Sequence, residues 1–169
     1  MMNLIYELKE NPGILPKIVV LIYRFGNITF YKIKVPLIKQ LLYVIYRIID
    51  FLILKLFLND DIPAGFQAGW GLKIYHPYGI IINSAARVGE NFVCRAQVTI
   101  GNRGEESDNG CPVIGDNVSL GIGAKIFGPI EIGDNCFIGA SAIVTKNLEA
   151  NKKVILPSSI IKELTNEKK

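Results

Sequence analysis

The chain has 169 residues and a formal net charge of +4, with half of its residues hydrophobic and one fifth charged. That balance excludes a disordered chain, and the length suits one domain with an appendage. A single histidine rules out metal sites built from two or three imidazoles of one chain, and three cysteines without a CxxC pair suggest a reducing compartment rather than a disulfide framework.

Charge and glycine divide the chain between Asn59 and Asp60. Residues 1–59 hold eight of the 19 Lys/Arg, three of the 15 Asp/Glu and only two of the 16 glycines. This segment reads as helical. A short helix is expected over Leu15–Arg24, broken at Gly26-Asn27, and a long one over Val35–Phe57 with Pro36 in its first turn. The long helix is about 33 Å at 1.5 Å per residue. Its polar positions, Lys39, Gln40, Tyr43, Arg47, Asp50 and Lys55, fall near one stripe. Arg47 and Asp50 lie mid-segment, so a transmembrane span is not expected, and the acidic, cleavage-free start does not read as a signal peptide. Two destinations stay open for this basic apolar segment: packing on the rest of the protein or another subunit, or contact with an anionic membrane surface.

Residues 60–157 carry a repeat, and residues 158–169 form a C-terminal tail. Ile114, Leu120, Ile126, Ile132, Ile138 and Val144 recur every six residues, and Ile82, Val88, Cys94 and Ile100 share the period upstream. Companions four residues on, among them Val118, Ala124, Ile130, Cys136 and Ala142, form a second set. Six fits neither a helix nor a plain strand. It suits a solenoid that turns a corner every six residues, with aliphatics inward and Gly, Asn and Asp at the corners. The step of 14 from Ile100 to Ile114 reads as 12 plus 2, with an insertion between Asn102 and Pro112. The expected architecture is mainly β, a parallel β-helix of four to five coils behind a helical segment. His76 lies six residues before Ile82, an inward position, so either the register breaks there or the imidazole has a buried partner.

The segment "DIPAGFQAGWGLKIYHPYGIIIN" and the repeats up to Pro157 resemble the hexapeptide-repeat acyltransferases, in particular the serine acetyltransferase-like branch. The resemblance implies a left-handed coil, acetyl-CoA as acyl donor and no metal. It aligns the family's catalytic histidine with His76 and its dyad aspartate with Asp61. Chemically, an imidazole serves as base toward a hydroxyl, and a carboxylate on its other nitrogen fixes tautomer and orientation. The resemblance also implies a homotrimer with sites between subunits. Its cofactor positions fall on Asn102, Gly121, Ile122, Gly123, Gly139 and Ala140, with Lys146 toward a CoA phosphate.

Departures from the branch concern the acceptor. Tyr75 stands where serine acetyltransferases have an aspartate, and Gly110-Cys111 where they have an arginine–histidine pair. Loss of those charges removes zwitterion recognition, and Tyr75 and Cys111 become the expected acceptor-binding residues. "YHPYGIIIN", "VTIGN" and "GCPVIGDNV" are similar to acetyltransferases of capsule, colanic-acid-type and O-antigen assembly. The leading expectation is therefore an O-acetyltransferase acting on a surface polysaccharide or its lipid-linked precursor, with an acceptor glycan as partner. Serine acetyltransferase is the alternative and a non-catalytic solenoid the second. The expected location is the cytoplasm or the inner face of the membrane, with peripheral contact through the N-terminal helices and no nucleic acid as partner. Glu105, Glu106 and Asp108 of the insertion are either acceptor contacts or solvated charges.

Overall fold

The computed structural model describes residues 3–104 and 110–157. The tail and the acidic residues of the insertion lie outside the described residues. The chain opens with three helices, α1 (Leu4–Glu10), α2 (Ile14–Tyr31) and α3 (Pro36–Ile49), and α3 continues as a π-helix over Asp50–Phe57. The Asn3 side chain caps α1 by accepting from Tyr6 N at 3.0 Å. Pro36 starts α3, as expected.

The break at Gly26-Asn27 does not occur: α2 runs straight through both residues. A Cβ at Gly26 would overlap the Tyr46 ring of α3. The glycine is there for a close helix crossing, and the cost of glycine inside a helix is offset by that packing. Asn27 likewise turns its amide onto the carbonyls of Ala64 and Phe66, at 2.9 and 2.7 Å.

Among the described residues thirteen short strands follow, wound as four coils and one further strand. The first coil is β1 (Gln67–Ala68), β2 (Lys73–Tyr75) and β3 (Ile81–Ile82); the second is β4 (Arg87–Val88), β5 (Val93–Arg95) and β6 (Thr99–Gly101). The third is β7 (Val113–Ile114), β8 (Ser119–Leu120) and β9 (Lys125–Phe127); the fourth is β10 (Glu131–Ile132), β11 (Phe137–Ile138) and β12 (Ile143–Val144), with β13 (Lys153–Val154) above. Equivalent strands pair in parallel into three sheets, β1-β4-β7-β10, β2-β5-β8-β11-β13 and β3-β6-β9-β12. The fold is a left-handed parallel β-helix with an N-terminal helical segment. The inward aliphatics of the six-residue period are buried in one continuous core that also takes in Val19, Tyr23, Tyr46 and Leu54 of the helices. Cys94 and Cys136 are buried within it.

β6 and β7 are consecutive strands of the winding. The interval from Ile100 to Ile114 is therefore one repeat plus eight residues, not two repeats plus two. The β6–β7 corner carries the entire insertion.

One corner of the prism explains the recurrent asparagines. Asn91, Asn117, Asn135 and Asn151 all have positive φ, between 55° and 62°, a conformation asparagine tolerates. Their side chains form a ladder: the amide of Asn91 donates to Asn117 Oδ1 at 3.0 Å, Asn117 to Asn135 at 3.2 Å, and Asn135 to Asn151 at 3.2 Å.

The helices close the first coil through buried polar contacts. Arg24 donates to both oxygens of Glu7, at 2.8 and 2.6 Å, and to the carbonyls of Ala68 and Gly69. Glu7 also accepts from Leu72 N at 2.7 Å. Asn11 bridges Leu72 O and Ile74 N, each at 2.8 Å.

Candidate active site

His76 lies on the corner that joins β2 to β3. In the regular coils the inward residues on either side of this corner are six apart, as with Cys94 and Ile100 or Leu120 and Ile126. Here Ile74 and Ile82, both buried, are eight apart. The register breaks, and the two extra residues push the histidine out of the core. Its backbone adopts φ 56° and its side chain is exposed. The corner is pinned from behind: Tyr78 N donates to His76 O at 2.8 Å, Gly79 N to Leu58 O at 3.2 Å, and the buried Asp60 accepts from Ile80 N at 2.8 Å. Asp60 is the anchor. Its second carboxylate oxygen is buried without a partner among the described residues, and burial raises its pKa to about 6.

The exposed histidine faces a cleft of about 460 Å³ between the helical layer and the solenoid. Pro12, Gly13, Ile14 and Pro16 form one wall; Tyr75, His76, Pro77 and Tyr78 form the other. The wall from the helices was not legible in the sequence, because no periodic pattern links the α1–α2 turn to residue 76.

Asp61 turns its carboxylate to a lysine rather than to this imidazole. Its backbone pairs with Ile81, and its carboxylate sits 2.9 Å from Lys55 Nζ. It lines a separate cleft with Lys55, Asn83, Thr99 and Asn102. No side-chain hydrogen bond joins Asp61 to His76 among the described residues, so the expected dyad contact is not formed within this protomer.

The cofactor positions divide between two corners. Successive coils are tied along the His76 corner by Gln97 N to Tyr78 O, Gly123 N to Ala96 O and Ser141 N to Ile122 O. Ile122 and Ala140 are exposed on this corner, above His76. Asn102 follows β6 on the next corner, where Arg103 donates to Thr145 O at 2.6 Å beside the exposed Lys146. The glycines also have structural reasons of their own. A Cβ on Gly121 would press on the backbone of Gly139 and Ala140, and one on Gly139 would meet Val154 O. These two serve coil-on-coil stacking, whereas Gly123, at φ 69°, serves the turn.

Tyr75 lies on the cleft wall, but Cys111 does not join it. Cys111 is half-buried on the other corner beside β7, where burial pushes its thiol pKa up. Arg95 was missed by sequence reasoning. It pairs in register with Tyr75, places its guanidinium 5.3 Å from that ring, and is braced by Nη1 donating to Ser119 Oγ and Leu120 O. An 18-residue coil would have stacked residue 95 over Pro77; the lengthened corner shifts it onto Tyr75.

Comparison with known proteins places this geometry. Residues 111–146 match the family model described as bacterial transferase hexapeptide (six repeats). That stretch of the solenoid is similar to the hexapeptide-repeat transferases. Among curated hexapeptide relatives, a serine acetyltransferase of Staphylococcus xylosus is 35% identical over 126 residues, covering 74% of this chain and 58% of the relative. One of Synechococcus elongatus is 32% identical over 138 residues, covering 81% and 56%. The chain thus spans less than two thirds of the curated relatives it matches. Among solved structures, serine acetyltransferase isoform 3 of Entamoeba histolytica, in complex with cysteine, superposes with a TM-score of 0.69 at 28% identity, covering 90% of this chain and 52% of that one. These likenesses overturn the polysaccharide expectation. That expectation rested on three changed positions, Tyr75, Gly110 and Cys111, and on three short fragments, "YHPYGIIIN", "VTIGN" and "GCPVIGDNV", whereas the similarity to serine acetyltransferases extends over 126 residues.

Proposed function

We propose that this chain is an acetyl-CoA-dependent O-acetyltransferase whose acceptor is the hydroxyl of serine. The observation that carries the reading is His76, set out of register on a pinned corner, exposed above an apolar cleft, in a solenoid similar to serine acetyltransferases. The imidazole takes the hydroxyl proton as the oxygen attacks the thioester carbonyl. The tetrahedral adduct then expels the thiolate, which recovers the proton from the imidazolium, leaving an O-acetyl ester and free CoA. A thioester and an alcohol exchange partners with no change of oxidation state.

Serine also brings a carboxylate and an ammonium. Arg95 sets a cation 5.3 Å from the Tyr75 ring, and its guanidinium, braced through Nη1, suits the carboxylate. This supports serine despite the loss of charge at residues 110 and 111. For acetyl-CoA, the two corners that carry the expected positions lie at opposite ends of one sheet. Six extended residues span at most about 20 Å. A groove formed by the His76 corner of one subunit and the Asn102–Lys146 corner of the next unites them, which is the homotrimer reading. The test is CoA release with purified chain, acetyl-CoA and L-serine. Serine-dependent release that disappears in His76→Ala is expected; release that is equal without serine, or unchanged in the variant, overturns the assignment.

A further inference from the structure

The outward face of α3 and its π-helical continuation is apolar and uncovered. Leu37, Leu41, Val44, Ile48, Phe51 and Leu52 run along it, with Leu37 at 78% and Leu41 at 62% exposure. Ile38 and Ile45 widen the stripe on one side, while Tyr46, Asp50 and Leu54 turn inward. A contiguous patch of this kind marks an interaction surface.

Charge decides between occupants. Every acidic residue of the helical layer is engaged within the protein: Glu7 with Arg24, Glu10 with Lys73, and Asp50 buried against Tyr46. The unpaired exposed charges bordering the stripe are then basic, Lys32 and Lys34 at the turn into α3 and Arg47 along its margin, while Lys55 at the far end is offset by the half-exposed Asp61. A second copy laid on the same stripe sets cation against cation. The stripe is also wider than a two-helix seam, since Ile38, Ile45 and Leu52 extend it where a coiled coil carries charged positions. An anionic lipid surface satisfies both features, taking the apolar face into the acyl boundary and the cations at headgroup level.

We propose that this face docks the protein on an anionic membrane, with α3 and its continuation lying in the plane of the interface. The turn from Phe30 to Val35 extends the contact: Phe30, Tyr31 and Val35 are exposed there beside Lys32 and Lys34.

The experiment is flotation of the full chain with vesicles of phosphatidylcholine alone or mixed with phosphatidylglycerol. Binding to the mixed vesicles alone is expected, weakened about tenfold by raising salt to ~0.5 M. Leu41→Glu with Ile48→Glu should lower partition about tenfold or more, and Arg47→Glu about fivefold. These positions are exposed, and an unchanged melting temperature separates lost docking from lost folding. Failure of the wild type to float with mixed vesicles overturns the proposal, as does equal flotation of the double variant. A wild type that stays soluble and has a larger solution mass than the double variant also overturns it, and gives the face to a second copy.

Discussion

The helical layer and the solenoid hold themselves together in opposite ways. The solenoid repeats one weak device many times: an inward aliphatic, a corner asparagine, a parallel pair. The helices are fixed to one another and to the first coil by single contacts that occur once each, among them the Glu7–Arg24 pair, the Asn11 bridge and the Gly26–Tyr46 crossing. Repetition makes a region tolerant and legible. Unique contacts make a region fragile, and hide it from pattern-based reading.

The first way to break this contrast is at His76, where the solenoid departs from its own rule. His76→Ala should lower turnover with acetyl-CoA and serine by about 10²- to 10⁴-fold. Calorimetry should find the melting temperature only slightly lowered, because the side chain is exposed and the one cost is that of alanine at φ 56°. Among the unique contacts, Glu7→Ala should cost about 3–5 kcal/mol in denaturant unfolding. It leaves the buried guanidinium of Arg24 unpaired and Leu72 N without its acceptor. In the repeated region Asn117→Ala should cost about 1–2 kcal/mol, since it removes two rungs and puts a side chain less tolerant of positive φ at 56°. A loss as large as that for Glu7 would erase the contrast.

Acidity gives a further probe. Burial raises the Asp60 carboxyl from its ordinary 3.8 to about 6, so between those values the folded state binds more protons than the unfolded one. Stability should therefore rise by about 1–3 kcal/mol as pH falls from 7 toward 4, flattening below the unfolded value. Asp50, also raised mainly by burial, adds in the same direction. Asp60→Asn should flatten the part due to Asp60 and leave the rest, as read from melts across that range. The smallest effect is expected at Asp61. Because its carboxylate belongs to Lys55, Asp61→Asn should lower turnover less than about tenfold, well short of what a dyad aspartate contributes.

The solenoid was legible because its core positions recur at a fixed step, and the step is set by the backbone rather than by any partner. The choice at His76 between a broken register and a buried partner was legible too, and the structure takes the first. The length of the insertion was misjudged because a step of 14 fits a whole number of repeats in more than one way, and only the strand order settles it. The unbroken helix through Gly26 was hidden, since the Tyr46 ring that requires the glycine lies on another helix. Asp61 shows the same limit in the site: sequence places a carboxylate near a histidine, but the choice of Lys55 depends on where the π-helix ends.

The asparagine ladder has a further consequence. Each rung donates to the one above it, so the ladder has a direction and acts as a ruler: Asn117, Asn135 and the coils they belong to are spaced by 18 residues. Asn151, the last described rung, closes its step in 16 residues, two short of the gauge. The coil length is thus negotiable wherever an asparagine can still reach its neighbour, by addition at the β6–β7 corner, where Asn91 reaches Asn117 across 26 residues, and by subtraction at the top. A whole coil could be spliced in or out below Asn135 with every rung still matched.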